Sequence, residues 1–94
     1  MPSASRINDA TSGHGCFPPQ TVVAGSSDVL INGIPAARVG DAVTPHTCVV
    51  THPGTIAIGS STVFINGVPA ARIGDPIDCG STLVGGSSNV NIGG

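Results

Sequence analysis

The sequence repeats itself, and this internal repetition limits the folds that the chain can adopt. Segments 26–43 and 60–77 are identical at 12 of 18 aligned positions, at an offset of 34 residues. A shorter skeleton occurs three times: Thr, an aliphatic residue, two variable residues, Gly-Ser-Ser, then Val and Ile two positions apart. We therefore treat residues 1–94 as a single domain built from three related units.

Each unit starts at an Arg-x-x-Asp motif and ends at the Gly that closes the skeleton. The three units cover residues 6–33, 38–67 and 72–94. The two junctions that precede the second and third motifs carry the same tetrapeptide: Pro35, Ala36, Ala37 and Arg38, then Pro69, Ala70, Ala71 and Arg72. Three covalently joined copies of one small motif predict pseudo-threefold symmetry.

The composition favours β-structure. Val and Ile together number 20 against two Leu, and the helix formers Glu and Lys are both absent. Within each unit, Gly-Ser-Ser separates two short apolar runs, which predicts the turn of a β-hairpin. The alternation of Val29 and Ile31 about Leu30 predicts a buried face that carries Val and Ile.

Three hairpin repeats predict an all-β, short pseudo-threefold cone, similar to a β-prism. A linear solenoid is the alternative, but three units without capping segments would leave two open ends. Closing the units around an axis removes the exposed strand edges. A chain this small buries a limited core, so we expect a further element to stabilise the cone.

The histidines predict that element. His14 and His46 each lie eight residues after the Arg of their unit, and His52 and Cys79 each lie three residues before the Thr that starts a skeleton. All four lie in the linkers that threefold closure would bring together at one end. Three imidazoles and one thiolate are a tetrahedral, closed zinc donor set. The repeat alignment thus predicts one structural Zn²⁺ near the apex.

The remaining cysteines and the arginines have more than one interpretation. Cys16 and Cys48 each follow a His by two residues, and they are alternative metal ligands, a disulfide pair or buried thiols. Buried thiols are the favoured interpretation.

The arginines of the three Arg-x-x-Asp motifs are interpreted as local turn pairs with Asp, in preference to a ring that seats a partner.

Charge and motifs exclude several functions. A net charge of −2, three Arg and two aromatic residues argue against nucleic-acid binding. There is no catalytic motif, and a zinc ion with four protein ligands has no open position for a substrate water, so we expect no enzyme. Met1–Gly13 lacks the apolar region of a secretory signal, which predicts a chain that stays at first in the cytoplasm.

Pro35-Ala36-Ala37-Arg38 and its second copy, each followed by Gly-Asp, resemble the PAAR-repeat proteins. These proteins cap the spike of type VI secretion systems and related contractile tail-like machines. The resemblance implies a small β cone with zinc near its point, and carries the ligands over to four residues: His14, His46, His52 and Cys79.

The resemblance also implies a partner. The broad base would be seated on the blunt end of a trimeric VgrG-type spike, one chain per trimer, and the cone would sharpen the spike for puncturing a target membrane. The chain would act without an attached effector domain, and a separate effector could travel with it as cargo. It would be expelled with the spike and would contact the target membrane transiently. The alternatives to this function are a zinc-stabilised adapter module, the tip of a phage-like tail and, least favoured, a zinc enzyme.

Overall fold

The computed structural model describes residues 1–13, 15–48 and 50–93, without the side chain of Cys48. These residues form short strands, turns and single bridging pairs, and no helix occurs among them. No described segment forms a helix with the length and apolar surface that a bilayer crossing requires. The domain measures 37 × 24 × 22 Å along its principal axes. The prediction of an all-β, cone-like fold is confirmed.

Within residues 1–13, 15–48 and 50–93, six strands form three antiparallel hairpins. The strands are β1 (Leu30–Ile31), β2 (Ile34–Pro35), β3 (Ala42–Cys48), β4 (Val50–Thr55), β5 (Phe64–Ile65) and β6 (Val68–Pro69). β1 pairs with β2, β3 with β4, and β5 with β6. The β3–β4 hairpin is the longest, and its register places His46 opposite His52.

The hairpin turns differ from the sequence prediction. The β1–β2 turn lies at Asn32 and Gly33, which have φ of 55° and 78°, and the β5–β6 turn repeats this geometry at Asn66 and Gly67. Positive φ at both central residues is the signature of a type I′ turn, whose twist matches that of the flanking strands. The expectation that Gly-Ser-Ser forms the hairpin turn was therefore wrong.

Gly-Ser-Ser instead folds the chain around a buried serine. The Ser26 hydroxyl accepts the backbone N–H of Val29 at 2.9 Å, and the hydroxyls of Ser60 and Ser87 do the same for the residues three positions later. A Cβ atom on Gly59 would lie 2.6 Å from the Ala70 carbonyl oxygen. The glycine is therefore needed for close approach of two backbones, and the serine hydroxyl accepts a backbone N–H of the turn that the serine starts.

A closed ring of backbone hydrogen bonds joins the three residues that directly precede the units. The N–H of Ser5 donates to the Ala71 carbonyl at 3.1 Å, that of Ala71 to the Ala37 carbonyl at 3.0 Å, and that of Ala37 to the Ser5 carbonyl at 3.0 Å. All three residues are buried. Because the ring returns to its starting residue, the three units surround a common pseudo-threefold axis.

The core consists of two apolar layers along this axis. The first layer contains Val22, Ala37, Val43, Ile56, Ala71, Ile77 and Leu83. The second contains Ala4, Ile31, Ala36, Ile65, Ala70 and Ile92, and it includes one residue from each of β1 and β5. The predicted burial of the Ile positions is confirmed, and Phe64, on the opposite face of the alternation, is 56% exposed. Val63 departs from the prediction, since it is 37% exposed. Cys79 packs against the first layer, so the two layers separate Cys79 from the β1–β2 and β5–β6 hairpins.

The Arg-x-x-Asp motifs form turns closed by ion pairs, as the sequence indicated. Arg72 donates from Nη2 to Asp75 Oδ1 at 2.9 Å and from Nε to Asp75 Oδ2 at 3.1 Å. The Arg6–Asp9 and Arg38–Asp41 pairs repeat this arrangement. These hydrogen bonds are the main cause that raises the pKa of each arginine. Each guanidinium therefore stays charged and completes a turn between neighbouring units.

A carboxylate between the first two units makes the stability of the fold depend on pH. Hydrogen bonds from Asn66, chiefly, and Ser26 lower the pKa of Asp28. Because the pKa is lowered by folding, the ionised carboxylate stabilises the folded state at pH values above the ordinary aspartate pKa. This stabilisation is lost as the pH falls through the lower pKa of the folded protein. We expect Asp28→Asn to lower the melting temperature at pH 7, by a difference from the wild type that shrinks as the pH falls below the ordinary aspartate value. Melting curves between pH 2 and 7 test this, and a constant difference between the two proteins would contradict it.

Candidate metal centre

Three donor atoms from separate parts of the chain meet beside the first core layer. His46 lies on β3, His52 on β4, and Cys79 in the turn that follows Ile77. One ligand atom from each residue lies within 4.8 Å of the others. These are three of the four residues that the repeat alignment predicted, while His14 lies outside the described residues. The structure thus brings together two imidazoles and one thiol.

The hairpin and the turn place these side chains for clear reasons. The β3–β4 register puts the two imidazole rings 4.3 Å apart, and His46 is 4% exposed. Gly54 on β4 faces the turn, and a Cβ atom there would lie 3.2 Å from Cys79 Sγ. The Asp78 carboxylate accepts the N–H and hydroxyl of Thr55 at 3.1 and 3.0 Å, which anchors the turn to the end of β4.

The hydrogen bonds of the two histidines define their tautomers. His46 Nδ1 lies 2.7 Å from the Pro18 carbonyl oxygen, and His52 Nδ1 lies 3.2 Å from the Pro53 carbonyl oxygen. A carbonyl oxygen only accepts, so each Nδ1 carries the hydrogen and donates. This leaves both Nε2 atoms facing one another, 2.9 Å apart. Two ring nitrogens at this distance share a cation between them, either a proton or a metal ion.

This arrangement fits a metal ion. Metal-bound histidines commonly donate their second ring N–H to a carbonyl or carboxylate, as both rings do here. Ligand atoms around a tetrahedral zinc lie about 3.3–3.8 Å apart, given metal–nitrogen distances near 2.0 Å and metal–sulfur distances near 2.3 Å. The His-His-Cys group needs only small adjustments to reach that spacing. Nitrogen and sulfur donors favour a transition metal over Mg²⁺ or Ca²⁺.

Residues that the sequence analysis did not single out surround this group. The ring of Phe17 lies 4.7 Å from the His46 ring and 4.5 Å from the His52 ring. Gln20 is 1% exposed, and its Oε1 lies 3.7 Å from Cys79 Sγ. Only their rarity could have drawn attention to these residues, since Phe17 is one of two Phe in the chain and Gln20 is its one Gln. Neither residue belongs to the repeat skeleton, so the repeat alignment could not identify them.

The interpretation of Cys16 as a buried thiol was wrong. Cys16 is exposed and is in a disulfide bond, so its sulfur is not available to a metal ion. Cys79 is a free thiol. The side chain of Cys48 lies outside the described part of the chain.

Comparison with known proteins gives one family. A family model described as the PAAR motif matches residues 8–85, which includes both Pro-Ala-Ala-Arg junctions and the three described donor residues. No curated protein matches the chain. Members of this family bind metal, which agrees with the donor geometry. The chain therefore belongs to the PAAR-motif family and is related to the spike-tip proteins of type VI secretion systems.

Proposed function

We propose that this protein is a structural tip, seated as one chain on the blunt end of a trimeric VgrG-type spike. The observation that carries the proposal is the backbone ring through Ser5, Ala37 and Ala71, by which one chain surrounds a pseudo-threefold axis. A partner with three identical subunits presents three identical surfaces, and a single chain can meet all three only if it carries threefold pseudo-symmetry itself. The PAAR family match supports the same partner.

The hairpin end of the domain is the better docking surface. Leu30 and Phe64, at equivalent positions of β1 and β5, are 58% and 56% exposed. They lie on the side of the second core layer, away from the His-His-Cys group. Exposed apolar side chains at matched positions suit a partner that repeats around the same axis. The opposite end would then point away from the spike.

The stoichiometry of the complex tests this proposal. We expect the purified chain and a trimeric spike protein to form a complex of one chain per trimer, measured by light scattering or native mass spectrometry. Phe64→Asp should weaken this binding, while Val50→Asp should leave it unchanged. Val50 is a matched control because it is similarly exposed, at 61%, and lies on the β3–β4 hairpin.

Two results would contradict the proposal. Three chains bound per trimer would remove the role of the pseudo-threefold axis. Equal effects of Phe64→Asp and Val50→Asp would place the interface elsewhere. Because both side chains are exposed, neither variant should change the melting temperature by more than a few degrees, which separates binding from folding.

We further propose that the ion is one zinc with a structural role, held by His46, His52 and Cys79 with His14 as the fourth ligand. A bound zinc ion would cross-link the linkers that converge at the apex. Four protein ligands would leave the ion no open position for a substrate, so the proposed role is mechanical and not enzymatic. In this proposal the chain remains in the cytoplasm until it is assembled on the spike and is then expelled with it.

A further inference from the structure

We propose that the segment Phe17–Gln20 is an outer shell that orients the metal ligands and controls how long the ion is held. The inference rests on the proposed metal function of His46, His52 and Cys79, and it concerns residues that do not bind the ion themselves. Four contacts from this four-residue segment reach all three donor side chains. The aromatic ring, the carbonyl and the amide each act in a different way.

Phe17 and Pro18 act on the imidazoles. The Phe17 ring packs against both histidine rings, at 63° to that of His52 and 33° to that of His46. The Pro18 carbonyl accepts the N–H of His46 Nδ1 at 2.7 Å and so directs the Nε2 lone pair toward His52. A packed aromatic ring limits rotation of the imidazoles and keeps water from one side of the group. Phe17 is therefore a positioning residue.

Gln20 acts on the thiol. Its Nε2 donates to the Thr44 carbonyl at 2.8 Å, and Thr44 lies on β3, two residues before His46. Its Oε1 accepts from Thr11 at 3.3 Å and lies 3.7 Å from Cys79 Sγ. One buried amide thus connects the strand that carries a histidine to the turn that carries the cysteine. The bonds to Thr44 and Thr11 hold the amide in place, and its oxygen accepts the thiol hydrogen of Cys79 until a metal ion replaces that hydrogen. The amide thus limits where the sulfur can lie relative to the strand that carries His46.

The segment itself has a rigid path. A Cβ atom on Gly13 would lie 2.7 Å from the Phe17 carbonyl oxygen and 2.9 Å from backbone atoms of Pro18 and Pro19. The backbone N–H of Gln20 donates to the Thr11 hydroxyl at 3.0 Å. Two successive prolines further restrict the backbone. An outer shell must hold its own position in order to hold the ligands, and these contacts supply that support.

The rate of zinc release tests the inference. Full-length wild type and the variants Phe17→Leu and Gln20→Leu are loaded with zinc, and transfer to a coloured chelator is followed with time. We expect release to be about 10–100-fold faster in each variant, the usual effect of losing an outer-shell partner. Ile58→Val is the control, because it trims an exposed apolar side chain that belongs to neither core layer and to neither proposed binding surface. Its rate should equal that of the wild type.

Two further measurements separate positioning from general packing. In the cobalt-substituted proteins, the visible spectrum reports ligand geometry, and we expect it to change in both variants. The melting temperature of metal-free Phe17→Leu, measured in chelator, should stay close to that of the metal-free wild type. Should Gln20→Leu fail to fold because the Thr44 carbonyl has lost its donor, Phe17→Leu decides the matter alone.

The outcomes distinguish the two proposals. Release from Phe17→Leu within twofold of the wild-type rate would overturn the outer shell while leaving the metal site in place. Equal destabilisation of the metal-free and zinc-bound forms would also overturn it, by showing that Phe17 only fills space. A wild-type chain that retains no zinc would overturn both the metal site and its outer shell.

Discussion

His46→Ala is expected to abolish zinc retention and to produce the largest loss of stability of any single substitution in this chain. The variant removes a buried imidazole donor and leaves a cavity beside Phe17 and His52. The binding free energy of a structural zinc is also folding free energy, and in small zinc domains it amounts to about 10–16 kcal/mol. Loss of one ligand should therefore lower the free energy of unfolding by at least about 3 kcal/mol.

Metal content after dialysis and thermal melting are the two measurements for this variant. Thr47→Ala is the control, because Thr47 is the next residue on β3, is exposed and bonds to Thr51 away from the donor atoms. The wild type in chelator should melt near the temperature of His46→Ala. Full zinc retention by His46→Ala would exclude His46 from the metal site.

Ala71→Leu is expected to have the second largest effect, because it places three additional carbon atoms beside the closed backbone ring. Ala71 is fully buried, belongs to the first core layer and both donates and accepts in the ring. Overpacking a dense core usually costs about 1–3 kcal/mol. At this position the neighbouring units cannot move apart without breaking ring hydrogen bonds, so we expect a loss of about 3 kcal/mol.

Chemical denaturation measures this loss, and Ala57→Leu is the matched control. Ala57 is exposed, so the same change there should alter the free energy of unfolding by less than about 0.5 kcal/mol. A similar small effect for Ala71→Leu would mean that the centre of the ring has room for a larger side chain. The closed ring would then not be a tightly packed element.

The sequence predicted the larger features of the fold because they depend on repetition. Equivalent residues in three units must occupy equivalent environments, and this argument led to the closed axis and to the convergence of His46, His52 and Cys79. It did not distinguish between two turn motifs in one unit. Gly-Ser-Ser and Asn-Gly are both turn formers, and the choice depends on whether the serine at Ser26 is buried by a neighbouring unit, which is a tertiary effect.

The features that the sequence did not predict lie outside the repeats. Phe17–Gln20 has no counterpart in the other two units, so its packing on the histidines follows only from the folded chain. The disulfide of Cys16 was one of several alternatives, and its spacing from His14 does not select among them. Pattern arguments identified what the three units share, while the asymmetric details came from contacts between segments far apart in the sequence.

The bridging pairs between distant residues also dictate the order in which the chain can acquire its structure. Ser3 bridges Asn91, and Ala4 bridges Arg72, so residues that precede the first unit pair with the third unit. Such long sequence separations slow folding and prevent stepwise completion from the first unit onward. A segment that lacks any one of the three units cannot close the axis, because each unit supplies partners that the other two need. The three faces of the cone therefore form together or not at all.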